Sequence, residues 1–406
     1  MSLLTILTLG ILLQTLTPEV IEHAQAGTAA QREGHLDVAI QEFRKVTELQ
    51  PNSASGYANL GNAYFLKGDY GAAIPQLEHA LKLNPKLMGT HQALGVALLV
   101  QGDAAGALPH FEETRAPDLL GLAYLETGRY GSALMALKAA LDRQANDPDL
   151  LYYFGRAAKL AGERAQQQLG KMKTGPAQSK QETAVRDVVT LETALAKQPN
   201  DPVLLSEFRQ AALAASGQAF EKLLQTNADS ARAHQVMAER YLEAGLVRKA
   251  EYEYAQALRL RPYTAGVHLA FGNVLADAGN LPQAIVQFKV EVELRPADPG
   301  ANYRLGTALL QQGQAADALK ALETADQLRP NAPPILLDLG KAALAAKDNA
   351  KAEKCWLQLL NVDQKSDFAA QAHFALAALY KDAGKRTEAD REMAAYQNLK
   401  NSGGEN

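Results

Sequence analysis

The strongest constraint on this chain is a period. Pro262, Pro296 and Pro330 are evenly spaced, and Gly272, Gly306 and Gly340 keep the same step, as do Gly245, Gly279 and Gly313. A period of about 34 residues marks one supersecondary unit copied along the chain, and a unit that short cannot bury its own apolar face without stacking on its neighbours. Residues 54–87 show what is copied. Tyr57, Leu60, Gly61 and Tyr64 recur at i, i+3, i+4 and i+7, one face of a first helix. Gly68-Asp69 breaks that helix. Ala73, Leu77 and Ala80 then form the inner stripe of a second, which Asn84-Pro85 ends because proline disfavours helical backbone at the residue before it. Gly61 and Ala73 are small where two helices must approach, while Leu60, Tyr64 and Leu77 fill the space around them.

Counted from its first residue, the unit starts at Val20, Ala54 and Met88, and after an interruption at Ala231, Ala265, Pro299 and Pro333. Thr17-Pro18-Glu19 supplies an N-cap, a first-turn proline and an acid ahead of the first copy. Gly121 arrives about two helical turns too soon after Gly95, which predicts a shortened second helix in the third copy. A fourth copy carries Gly121, Tyr124, Gly128, Ala133 and Leu137 and runs to Asp147. The Pro333 copy has Lys347 in place of its turn glycine and Gln364 in place of proline, and the last copy starts at Ala370.

The centre departs from the register. Residues 147–172 begin like a unit, with Phe154, Gly155 and Gly162, but lack a clear turn and second helix. A polar break at Thr174–Ser179 follows. A helix over 180–197 then has Val185, Val188, Val189, Leu191 and Leu195 as its apolar side. The segments from Asp147 and Asp201 share the pattern DPxLLxxFxxAAxxAxxxAxxxL. Two readings stand: a repeated, degenerate helix pair that bends or spaces the array, or two drifted repeats. The expected organisation is an apolar segment at 1–17, a regular block at 18–147, an irregular helical middle at 148–230, a second regular block at 231–400 and a polar tail at 401–406.

Composition bounds the function. Hydrophobic residues make up 47% of the 406, so most of the chain should fold. With 41 basic against 45 acidic residues and no basic run, a nucleic-acid partner is not expected. Cys355 is the only cysteine, which excludes intramolecular disulfides and thiolate zinc sites. Met1–Leu16 is uncharged and strongly apolar, shorter than the ~20 residues of a membrane span but as long as the apolar region of a secretory signal. No Lys or Arg precedes it, and Ala24-Gln25-Ala26, the nearest cleavage-like sequence, lies inside the first copy. Export or membrane attachment is one reading, and an apolar helix across the open end of the array is the other. With no cysteine after the run, a lipoprotein anchor at this N-terminus is not expected.

The order aromatic, Leu, Gly, Tyr, Ala, large apolar, Ala, Pro at these spacings resembles the tetratricopeptide repeat over roughly residues 18–147 and 231–400. The resemblance implies an all-α, right-handed superhelical solenoid of antiparallel helix hairpins, about eleven of them here. It also implies that the first helices line a concave wall through positions two, five, six, nine, twelve and thirteen. In the N-terminal block these positions give Asn59, Asn62, Phe65, Leu66 and Gln92, a mostly neutral groove. In the C-terminal block they give Arg232, Gln235, Glu239, Asn273, Tyr303, Arg304, Thr307 and Lys341, wetter and mixed in charge. Asparagine both donates and accepts, so it suits peptide backbone of any sequence. The family's carboxylate-clamping pattern is matched only at Asn59 in the first three copies, and the asparagine ladder of its sugar-transferring branch appears once only.

Five of the eight histidines, His23, His91, His234, His268 and His373, share position four. Equivalent positions on successive units are ~8–10 Å apart, too far to share one ion whose ligands sit at ~2 Å. A planar ring filling the family's aromatic slot is the expectation, with no metal and no cofactor. Gly170-Lys-Met-Lys-Thr-Gly175 has the composition of a phosphate loop without its order. No nucleophile elbow or paired carboxylates stand out. The expected function is a non-catalytic scaffold holding extended peptides or partner segments of other proteins. If residues 1–16 direct export, the setting is the periplasm or envelope of a bacterium, in an assembly role with the membrane nearby. The alternative is a cytosolic regulatory or chaperone-associated adaptor. An enzyme would need a titratable cluster within 148–230.

Overall fold

The computed structural model describes residues 17–172 and 187–402, and within them the chain forms 21 α-helices and no strand. The apolar Met1–Leu16, the polar break at 174–179, the end of the Gly170–Gly175 stretch and the last four residues lie outside the described residues. The chain divides into two compact units, up to Ala136 and from Leu137 onwards.

In the first unit, α1 (Pro18–Arg32) pairs with α2 (Leu36–Leu49), α3 (Ala54–Lys67) with α4 (Tyr70–Leu83), and α5 (Met88–Val100) with α6 (Ala104–Thr114). α7 (Pro117–Glu126) follows, and α8 (Tyr130–Leu141) passes into the second unit. The 11-residue α6 is the shortened second helix that the glycine spacing predicts. Starts are set locally: Ser53, Asp69 and Asp103 side chains accept the N–H of Gly56, Ala72 and Gly106 at 3.1, 3.1 and 2.7 Å. The turn between the two helices of a pair needs one left-handed residue, Gly68 at φ 83° in the second copy. Lys347 takes the same conformation at φ 66°, so the turn persists there without its glycine.

Within each of these three pairs the contact is a glycine against a large side chain. A Cβ built on Gly95 would lie 2.5 Å from Phe111 Cε1, and one on Gly61 2.7 Å from Leu77 Cδ2. Phe111 and Leu77 are buried, each contributing on the order of 1.5–3 kcal/mol by leaving water.

The second unit shows what the irregular centre is. α9 (Pro148–Lys171) and α11 (Pro202–Thr226), 24 and 25 residues long, pack along each other. A Cβ built on Gly155 would lie 2.6, 2.9 and 3.0 Å from Phe220 ring atoms, nearly the distances found for Gly95 and Phe111. The two DPxLL segments are therefore the two sides of one long hairpin. Between them comes α10 (Val188–Lys197), which packs on α11. Five further pairs follow: α12 (Ala231–Glu243) with α13 (Val247–Leu260), α14 (Val267–Asp277) with α15 (Leu281–Leu294), α16 (Pro299–Gln311) with α17 (Ala315–Leu328), α18 (Pro333–Ala345) with α19 (Asn349–Val362), and α20 (Asp367–Asp382) with α21 (Arg386–Ser402). Besides α7 and α8, nine packed pairs are seen among the described residues where the register suggested about eleven, and α9 and α11 make one pair between them.

α14 starts without a side-chain cap of its own, behind Gly266 at φ 84°. Glu291 of α15 serves instead, accepting from Gly266 N at 2.7 Å and Leu269 N at 3.2 Å while fully buried. Burial pushes its carboxyl above the usual range, against the pull of those N–H groups.

Candidate functional site: the first-helix walls

In the first unit the wall positions surround open recesses. One of about 450 Å³ is bounded by Asn59 and Asn62 of α3, Lys86 in the connection, and Gly89, Thr90 and Ala93 of α5. Asn59 and Asn62 are one turn apart on the same face, and their side-chain amides have no hydrogen-bonding partner among the described residues. Gly89 faces open space. A second recess of about 480 Å³ lies over α1, along Ile21, Ala24, Gln25, Thr28 and Arg32. Gln92 is exposed. Phe65 is half-buried, set edge-on to Tyr70 at 5.5 Å and packed on the α4 core, while Leu66 beside it is half-exposed.

The wall positions of α12 are arranged differently. Arg232 and Gln235, expected to face a groove, are buried at 6% and 4% exposure because α12 packs against α9. Arg232 donates to Asp149 (2.7 Å), Gln235 (2.7 Å) and Tyr153 (2.5 Å), with its guanidinium 4.7 and 4.8 Å from the ring centres of Tyr152 and Tyr153. Tyr152 donates to Glu239 at 3.0 Å, and Gln235 donates to both Tyr152 and Glu239. Arg261 closes the chain on Asp149 at 2.7 Å.

The electrostatics follow from that burial. Burial alone would raise the Asp149 carboxyl, but Arg261 and Arg232 outweigh it and hold it below the ordinary range. Burial lifts the Glu239 carboxyl despite the Tyr152 hydrogen bond and the charge of Arg156. Burial and the neighbouring Glu239 likewise push the Tyr152 phenol up. This is a titratable cluster at the edge of 148–230, but its members are bonded to one another. As a candidate for partner contact, the trio Arg232, Gln235 and Glu239 is corrected to an internal joint between α9 and α12.

Further along, Tyr303 donates to Asp338 Oδ2 at 3.0 Å and Lys341 to Asp338 Oδ1 at 2.8 Å. Burial and the Asp338 charge push the Tyr303 phenol up to about 12. Thr307 returns its hydroxyl to the Arg304 carbonyl, and the Arg304 side chain is exposed. Asn273 Oδ1 is buried with no partner among the described residues.

The position-four histidines do more than fill a slot. Each bonds the residue 19 places later, across its own hairpin: His23 to Glu42, His91 to His110, His234 to Glu253, His268 to Gln287 and His373 to Glu392, at 2.6–2.9 Å. The signal was available, since Glu, Gln or His recurs at that spacing in all five copies. It lies on the polar stripe of the second helix, which the register of the first-helix face does not reveal.

Comparison with known proteins places these hairpins. Models described as tetratricopeptide repeat match residues 54–87, 118–147, 269–333 and 309–372, and one described as TPR repeat matches 32–68. No curated protein matches. Similar solved structures include MamA from Desulfovibrio magneticus RS-1 (22% identity, 43% of this chain and 97% of that one, TM-score 0.41) and YrrB, titled a TPR protein with an unusual peptide-binding site (20% identity, 45% and 92%, TM-score 0.41). Yeast Tom70 is similar over 94% of this chain and 92% of its own at 13% identity, with a TM-score of 0.34. With the even period, the glycine-centred hairpins and five repeat models on the same residues, the chain belongs to the tetratricopeptide-repeat family.

Proposed function

We propose that this protein is a non-catalytic scaffold that holds an extended segment of a partner protein against the first-helix wall of its N-terminal unit. The observation that carries the reading is the pair of unengaged amides, Asn59 and Asn62, over an open recess of about 450 Å³. An amide can give one hydrogen bond and take another from a peptide backbone, so a run of wall positions can hold main chain whatever its side chains. The polar wall groups of α12 are already paired internally, which favours the N-terminal unit as the contact. A second contact through Arg304 and Tyr303 would let one chain bring two partners together. Through residues 1–16 we assign the protein to the periplasmic or membrane side of a bacterial envelope, and mass-spectrometric mapping of the mature N-terminus checks that assignment.

The test of the groove is peptide selection on the full-length chain, counter-selected with the Asn59→Ala/Asn62→Ala/Gly89→Tyr variant. Gly89 faces open space, so the tyrosine fills the recess without disturbing packing. Sequences enriched on the parent should lose binding to the variant. Equal capture by both, or no enrichment, would refute the reading.

A further inference from the structure

The N-terminal groove has a chemical bias. Along α1, α3 and α5 the wall positions carry one charged residue, Arg32, and Lys86 stands at the edge of the recess beside Asn59. The unit as a whole is not neutral: residues 17–136 hold eight basic and thirteen acidic residues. Its charge lies on other faces, as with the exposed Glu22, Lys45, Glu48 and Lys82. What the wall offers instead is apolar surface and unengaged amides. Ile21, in the recess over α1, is 40% exposed, and Leu66, in α3 with Asn59 and Asn62, is 50% exposed. Thr28, a small polar group on this wall, already gives its hydroxyl to the Ala24 carbonyl at 2.7 Å.

Each side-chain class on an incoming segment can be weighed against this wall. A basic segment finds no wall carboxylate on α1, α3 or α5, although the acidic surplus of the unit draws it to other faces. An acidic segment meets two separate cations, Arg32 and Lys86, inside a unit whose net charge repels it. Desolvating a charge against Ile21 or Leu66 costs free energy that no counter-charge there returns. A segment alternating apolar and small uncharged residues satisfies both features at once. Its apolar side chains cover Ile21 and Leu66, and its backbone meets the two amides.

We infer that the α1–α5 groove selects uncharged, apolar extended segments of its partner, an inference that rests on the groove reading above. Binding is therefore governed by apolar contact and backbone hydrogen bonding, with little dependence on salt.

The test uses the full chain and three fluorescein-labelled, end-capped peptides of about 12 residues, a length that spans the three wall helices in extended form. They share leucine or valine at every second position and carry serine and threonine, aspartate, or lysine at the others. Fluorescence anisotropy should show the neutral peptide binding at least about tenfold more tightly than either charged one, the scale of one uncompensated charge on apolar surface. Its affinity should change less than about twofold between roughly 50 and 300 mM salt. Asn59→Ala/Asn62→Ala should weaken it about tenfold, two hydrogen bonds of ordinary net worth, and Gly89→Tyr should weaken it independently. A charged peptide that binds as well or better, and still weakens in these variants, overturns the selectivity and leaves the groove in place. Failure of all three peptides to bind, or binding that both variants leave unchanged, overturns the groove reading and the selectivity together.

Discussion

Two glycines on one helix separate the effect of close packing from that of backbone preference. Gly89 and Gly95 both lie in α5, and alanine at either removes backbone freedom from the unfolded chain, a gain of up to about 1 kcal/mol within a helix. Gly89 has nothing within 4 Å of its added Cβ, so its variant should hold or raise stability. At Gly95 the methyl lands 2.5 Å from Phe111 Cε1, with Cδ1 and Cζ at 2.9 and 3.0 Å. Carbon atoms settle at ~3.5–4.0 Å, so the ring must retreat by roughly 1 Å. Phe111 has no exposed surface, so the packed core around it resists that movement. An extra methyl in a filled core costs about 1–3 kcal/mol. Because the backbone gain is common to both variants, Gly95→Ala should fall below Gly89→Ala by about that amount.

Repeat arrays open locally, so hydrogen exchange of the α5 and α6 amides under native conditions is the direct readout, with urea unfolding beside it. A second check lies in the chain itself. Ala238 occupies the equivalent position opposite Tyr254, with both buried, so the hairpin can be built for alanine when its other contacts are matched to it. The loss at Gly95 should accordingly shrink if Phe111→Leu is added, giving a favourable coupling between the two changes. Gly95→Ala equal to or more stable than Gly89→Ala would refute the claim that glycine is there to let Phe111 in.

Two further outcomes follow from the polar interior. Arg232→Ala leaves Gln235 and Tyr153 short of a donor and removes one of the two cations on Asp149, so the α9–α12 joint should lose about 3 kcal/mol in urea unfolding, and Arg232→Lys should not restore it because lysine lacks the planar fork. For pH, His91 gives its Nε2–H to the Pro85 carbonyl at 2.9 Å, so its bare Nδ1 accepts from His110 Nδ1 at 2.9 Å. Burial, and then the neighbouring His91, lowers the His110 pKa, against a smaller opposing pull from Glu78. The folded state therefore favours neutral His110, and its contribution is complete above the ordinary histidine range and lost as pH falls through about 6.5 and below. Protection of the α5–α6 amides, taken relative to their intrinsic exchange at each pH, should fall from about pH 7.5 to about pH 5, and His110→Gln should flatten that change.

How much of this was legible depended on how local the cause is. The turn, the caps and the close approach of Gly61 to Leu77 repeat with the period, so one copy explains the others. Even Lys347 fits, since a left-handed turn residue costs a lysine only ~1–2 kcal/mol and the rest of the hairpin holds it there. The polar partners were less legible. The histidine links need the phase of two helices at once, and the burial of Arg232 depends on Asp149, 83 residues earlier in the chain. Likewise, nothing near Gly266 announces that Glu291 will cap α14.

The period alone determined that this chain is a series of helix pairs, because a single amphipathic hairpin has no other way to cover its apolar face. It also marked the wall positions that vary between copies. Tertiary structure decided which of those positions remain available. Packing of α9 on α12 buried Arg232 and Gln235, while the spacing of α3 and α5 left Asn59 and Asn62 facing an open recess. It also decided the middle, since Gly155 accepts any large side chain that arrives in register. The one that does is Phe220, from the far side of α10, because α11, 25 residues long, packs along the 24-residue α9.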